Sequence, residues 1–143
     1  MNTKELRITE IVAEHAGREG PLLPILHDVQ AELGCVDAES EALIAQGLNL
    51  SRADVHGVVT FYHDFHDHAD ARPEVQICRA EACKARGVEA LIASAEKAAG
   101  DRVKLTTVYC LGLCSAGPAA RNGDTLHARL DGKGLNTVIE NAR

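Results

Sequence analysis

Apolar positions in the first half of the chain recur every three to four residues. Over residues 3–16, Leu6, Ile8, Ile11 and Val12 form a partial helical stripe, with Thr3 placed as N-cap and Gly17 as the stop. Pro21 and Pro24 suit the first turn of a second helix, where a missing N–H is harmless. Leu22, Ile25, Leu26, Val29 and Leu33 complete its amphipathic face, and Gly34 ends it. A shorter helix over 38–47 carries Leu43 and Ile44, with Leu48 just beyond. Asn49-Leu50-Ser51 breaks it, and Ser51 with Asp54 three residues on resembles a capping pair. A fourth helix, 52–60, leads Val55, Val58 and Val59 into Phe61 and Tyr62. Residues 1–65 therefore read as all-helical.

The polar stretch from His66 to Pro73 reads as a linker, and after it the period changes to two. Val75 and Ile77 alternate with polar neighbours in a strand that runs into Cys78. Residues 82–99 read as one helix, with Val88, Leu91, Ile92, Ala95 and Ala99 on one face and Gly100 after its end. Val103, Leu105, Thr107 and Tyr109 alternate into Cys110. Asn122-Gly123 signals a hairpin, with Leu126, Ala128 and Leu130 alternating on its outgoing strand and His127 between them facing solvent. Leu135, Val138, Ile139 and Ala142 close the chain as a helix. The fold class is α+β: a helical segment over residues 1–72, then a small domain over 73–143 in the order β-α-β-loop-β-β-α. A domain of about 70 residues has a thin core and often needs a staple.

Composition narrows the function. No apolar run approaches the ~20 residues of a membrane span. The N-terminal MNTKELRITEIVAEH lacks the apolar core of a secretory signal. The expected location is the cytoplasm, which keeps thiols reduced. The net charge is −6, from 15 basic and 21 acidic residues, which argues against nucleic-acid binding. Of four aromatics, Phe61, Tyr62 and Phe65 cluster within five residues and read as packing anchors.

Four of the five cysteines stand in two short-spaced pairs, Cys78/Cys83 and Cys110/Cys114, separated by 26 residues. Each pair begins where a predicted strand stops, so adjacent strands would bring four thiolates together. Three chemistries fit: a [2Fe–2S] cluster, a structural zinc, and a thiol–disulfide couple. A C-x4-C opening occurs in plant-type [2Fe–2S] proteins. Zinc sites more often use C-x2-C pairs, and redox dithiols C-x-x-C. Spacing favours iron–sulfur. A metal centre would also staple the small domain. The helix starting near Cys83 would favour a thiolate there through its dipole. Gly112 and Gly117 would let backbone approach sulfur. Cys35 reads as a packing residue. His63, His66 and His68, with neighbouring aspartates, read as solvated linker, and His56 has no assigned role.

Cys78-Arg-Ala-Glu-Ala-Cys83, Tyr109-Cys-Leu-Gly-Leu-Cys-Ser-Ala-Gly-Pro-Ala119 and Val55-His-Gly-Val-Val-Thr-Phe-Tyr-His-Asp-Phe65 together resemble the thioredoxin-like [2Fe–2S] ferredoxin family, which includes the 24-kDa subunit of respiratory NADH dehydrogenase. The resemblance implies a thioredoxin-like second domain and a [2Fe–2S] cluster held by Cys78, Cys83, Cys110 and Cys114, one iron per pair. Respiratory members carry an insertion before the third cysteine, which this chain replaces with the turn Gly100-Asp-Arg102. With that short gap, the cysteine motifs resemble the gamma subunit of NAD-dependent, molybdenum-containing formate dehydrogenase. This implies a partner beta subunit with FMN, NAD and iron–sulfur clusters, met through the helical half, and a molybdenum-bearing alpha subunit beyond it. The chain itself would catalyse nothing. The alternatives are the small diaphorase subunit of an NAD-linked hydrogenase or NADH:quinone oxidoreductase, and, in another class, a zinc-stapled interaction module.

Overall fold

The helical periodicity of the first half becomes four helices: α1 (Thr3–Glu14), α2 (Leu22–Leu33), α3 (Ala38–Leu48) and α4 (Arg52–Phe61). They belong to the first of two units, Met1–Asp70 and Ala71–Arg143, in a computed structural model that describes residues 1–143. Asn2, rather than Thr3, caps α1. Its side chain accepts from the Glu5 N–H, and the Glu5 carboxylate accepts from the Asn2 N–H, each at 2.8 Å. That reciprocal box satisfies two otherwise orphaned donors. Ser51 and Asp54 form the same arrangement on α4. Ile8 and Ile11, Ile25, Leu26 and Val29, Ile44 and Ala45, and Val55 and Val59 bring the four helices onto one core with Val36 and Phe65. Gly47 permits the close approach of α1 to α3, since a Cβ there would lie 2.9 Å from Val12 Cγ1.

Polar groups lock these helices together. Lys4 on α1 donates to Asp37, the N-cap of α3, at 2.8 Å, and Arg7 donates to Glu32 of α2 at 2.5 Å. The buried Glu41 of α3 accepts from His56 Nδ1 of α4 at 3.0 Å, which gives His56 a structural place. The polar stretch after α4 is tied back to α2: the His66 N–H donates to Gln30 Oε1 at 2.7 Å. Only one of the three clustered aromatics is a core anchor. Phe65 is 7% exposed, whereas Phe61 is 74% and Tyr62 43% exposed, because the end of α4 turns their rings outward. No helix is long and apolar enough to cross a membrane.

The second unit is built on four strands, β1 (Glu74–Cys78), β2 (Lys104–Val108), β3 (Ala120–Asn122) and β4 (Thr125–His127), in the order β2-β1-β3-β4. β1 pairs parallel with β2, and β3 is antiparallel to both its neighbours. The single helix expected over 82–99 is three pieces: α5 (Glu81–Ala85), a 3₁₀ turn (Val88–Leu91) and α6 (Ile92–Ala99). The break falls at Gly87, whose φ of +96° is left-handed and incompatible with a continuing α-helix. The last helix, α7 (Gly132–Glu140), packs on α6. Arg102 donates to the carbonyl groups of Ile139, Glu140 and Ala142, satisfying the C-terminal end of α7.

The hairpin forms at Asn122-Gly123, but its outgoing strand is turned over relative to the sequence reading. His127 pairs with Ala120, which pairs with Ile77, so His127 shares the inward row. Leu126 is 49% exposed. The strand stops at His127, too short for alternation to set its face, and register with β3 sets it instead. Charge divides with the units. Residues 1–70 carry 13 acidic and 4 basic side chains, a net of −9, and residues 71–143 carry 8 and 11, a net of +3.

Candidate metal centre

Parallel register sets Cys78, the last residue of β1, beside Val108, the last of β2. The loops that follow both strands therefore leave the sheet at one end. The first reaches Cys83 inside α5, and the second carries Cys110 and Cys114, the latter opening a short 3₁₀ turn (Cys114–Ala116). All four cysteines line one cavity of about 350 Å³, walled also by Ala80, Leu111, Leu113 and Ala119. That is many times the ~30 Å³ share of one water. The sulfurs of Cys110 and Cys114 are 3.6 Å apart. The pairs differ in access: Cys78 and Cys83 are 3% and 2% exposed, while Cys110 and Cys114 lie at the surface.

Backbone does much of the electrostatic work. Burial acts to raise the Cys78 thiol, but hydrogen bonds from the N–H groups of Ala80, Cys110 and Leu111, together with the Cys83 thiol, hold it below the ordinary cysteine value. The second cysteine loop thus donates to a sulfur of the first. Cys110 itself has a φ of +111°, a region L-residues rarely adopt, found where local structure is over-determined. Cys83 is raised, by burial and then by its bond with Cys78, against one N–H from Ala119. The helix dipole expected to favour its thiolate is weak, since α5 has five residues. Cys114 is raised chiefly by its hydrogen bond with Cys110.

The two loop glycines act differently. Gly117 is a cradle: a Cβ there would lie 2.9 Å from Cys83 Sγ. Gly112 has no neighbour within 4 Å of such an atom, and its value lies in a φ of +78° and an N–H that donates to Cys110 Sγ at 3.3 Å. These N–H donors had no sequence signal, because every residue but proline carries one; only the glycines hinted at a special backbone.

Donor set, enclosure and compensating N–H groups fit a negatively charged thiolate-held cluster. Nowhere do three His, Cys, Asp or Glu side chains converge on a point as one ion requires, neither these cysteines nor His63, His66 and His68. Cys35, half-buried beside Gly34, lies in the other unit.

A mixed sheet gathering two cysteine pairs at one end defines a thiolate-held redox protein of thioredoxin-like architecture. The profile described as "Thioredoxin-like [2Fe-2S] ferredoxin" matches residues 8–143. A subunit of the NADH-quinone oxidoreductase of Rhizobium meliloti is 31% identical, over 99% of this chain and 89% of its own length. The NAD-reducing hydrogenase HoxS subunit alpha of Cupriavidus necator is 28% identical over 93% of this chain and 24% of its own. An NAD+-reducing [NiFe]-hydrogenase in the air-oxidized state superposes with a TM-score of 0.69 at 25% identity, over 83% of this chain and 22% of that one. The chain thus spans under a quarter of each of these two hydrogenase chains. It belongs to the thioredoxin-like [2Fe–2S] ferredoxin family, and its cofactor is one [2Fe–2S] cluster.

Proposed function

We propose that this chain is the electron-transfer subunit of an NAD-dependent formate dehydrogenase, and that Cys78, Cys83, Cys110 and Cys114 hold its cluster. The observation that carries the ligand set is the single cavity lined by all four thiols, two buried and two at the surface. The cluster, when bound, supplies reversible one-electron chemistry. The protein's part is to bind and insulate. Cys78 and Cys83 anchor from within, the N–H groups of Ala80, Cys110 and Leu111 offset charge on sulfur, and Leu111, Leu113 and Ala119 limit water. No side chain here is assigned to bond making or breaking. The helical unit meets a flavin- and NAD-binding subunit in the cytoplasm, and FMN, NAD and the molybdenum cofactor reside in partner chains.

Formate dehydrogenase is favoured as host by the 26-residue gap between the cysteine pairs and the motifs around it. The second reading, a small diaphorase subunit, is favoured by relatives named as subunits of NADH-quinone oxidoreductase and NAD-reducing hydrogenase. Purification without oxygen tests the cofactor and its ligands. About two irons per chain and a rhombic S = ½ signal on reduction are expected, and Cys78→Ser and Cys110→Ser should each lower bound iron several-fold. A colourless zinc protein that also resists reconstitution with iron and sulfide overturns the carrier. Recovery of the tagged chain with its complex tests the host. Formate-dependent NAD+ reduction in the eluate supports the first reading, and hydrogen-dependent reduction supports the second.

A further inference from the structure

Arg86 stands three residues after Cys83, at the C-terminal cap of α5. Its side chain lies against the second cysteine loop. The point where residue 117 would carry a Cβ is 2.9 Å from Cys83 Sγ and 3.3 Å from Arg86 Cδ. The sulfur and the arginine stem therefore flank one niche, open because residue 117 is glycine. The Arg86 guanidinium has no ion pair or side-chain hydrogen bond within the chain, in contrast to the other cations near the thiols. Arg79, next to Cys78, is bonded to Glu89 at 2.9 and 2.5 Å. Lys84 also faces Glu89, whose carboxyl it helps to hold down after Arg79. The one carboxylate on the cavity wall, Glu81, sits at the opposite end of α5. No acidic residue occurs between Asp101 and Asp124, the stretch containing the whole second cysteine loop.

We infer that Arg86 raises the reduction potential of the centre by placing an unneutralised positive charge behind Cys83. The inference rests on the four-cysteine reading of the site. One electron from the redox partner adds one negative charge to the thiolate-held centre, with no bond made or broken. A cation held near one of its sulfurs by the packing of its stem stabilises that state relative to the oxidised one. Arg86 touches no reacting atom and acts as a positioning residue through its field.

The test compares the full-length chain with Arg86→Lys, Arg86→Gln and Arg86→Met, all loaded without oxygen, by redox titration followed by EPR. Arg86→Gln and Arg86→Met should shift the midpoint to more negative potential at unchanged iron content and g-values. Arg86→Lys should keep the wild-type midpoint. The gap should narrow as salt is raised, because the charge is exposed. Met preserves the stem in the niche, so it carries the test should Gln disturb iron binding. A midpoint unmoved at low salt in the neutral variants, or moved equally by Lys, overturns the role of Arg86 and leaves the electron carrier standing. Absence of iron and of an EPR signal in the wild-type chain overturns both.

Discussion

At position 117 the absent side chain matters as much as any sulfur. A methyl group there would lie 2.9 Å from Cys83 Sγ, closer than side-chain carbons come, and 3.3 Å from Arg86 Cδ, so the sulfur would have to shift. Gly117→Ala should therefore keep its far-ultraviolet circular dichroism but lose bound iron several-fold, measured as iron per chain after anaerobic reconstitution. Sequence spacing was enough to single out the four cysteines that share one cavity, because short-range pairing survives as a pattern of residue types. It could not reveal which sulfur the backbone stabilises. The positive φ of Cys110 and the N–H groups aimed at Cys78 depend on the path of the chain and not on residue identity. The dipole expected to favour a thiolate at Cys83 does not prevail, for the same reason: burial and the neighbouring Cys78 outweigh a one-turn helix.

Single polar residues join the secondary elements, and two of these joints can be tested. Lys4 of α1, then the Ser40 N–H, hold the Asp37 carboxyl down to about 2. The folded value lies below the unfolded one, so this contribution is complete above pH ~4 and lost as pH falls toward 2. Its carboxylate is 40% exposed, so screening limits the pair to about 0.2–1 kcal/mol. Asp37→Asn keeps a capping oxygen but not the charge. Its urea midpoint should fall less than wild type's between pH 4 and pH 2. At the other joint, Arg102→Met removes the donors that satisfy the α7 carbonyls of Ile139 and Glu140 and that of Ala142 just beyond, and should destabilise by about 1–3 kcal/mol in urea unfolding. The existence of nearly every element was legible, since the stripes of Leu22–Leu33 and the alternation at Val75 and Ile77 are strong. The break at Gly87 was not, because the five residues of Glu81–Ala85 are too few to carry a period of their own and read as the first turn of the stripe that Val88, Leu91, Ile92 and Ala95 form after it. The facing of β4 was hidden because three residues at a sheet edge take their orientation from a partner strand.

Across the whole molecule, the switch from helical to alternating period marks where one unit gives way to the other, and each has its own core. The core of residues 71–143 is rich in alanine and closes around the cysteines, so metal binding should contribute to its stability. Removing iron from the loaded chain should lower amide-exchange protection in residues 71–143 and leave residues 1–70 nearly unchanged, read by mass spectrometry. The opposite charge of the units was countable from the sequence, but it acquired meaning only once the boundary was drawn. The unequal access to the four thiols bears on how the protein matures. A delivery scaffold handing over a preassembled cluster meets Cys110 and Cys114 at the surface first, while Cys78 and Cys83 lie below them. With these four cysteines as the proposed ligands, transfer would run from the surface pair to the buried pair, and the surface pair is where an interrupted handover would stall.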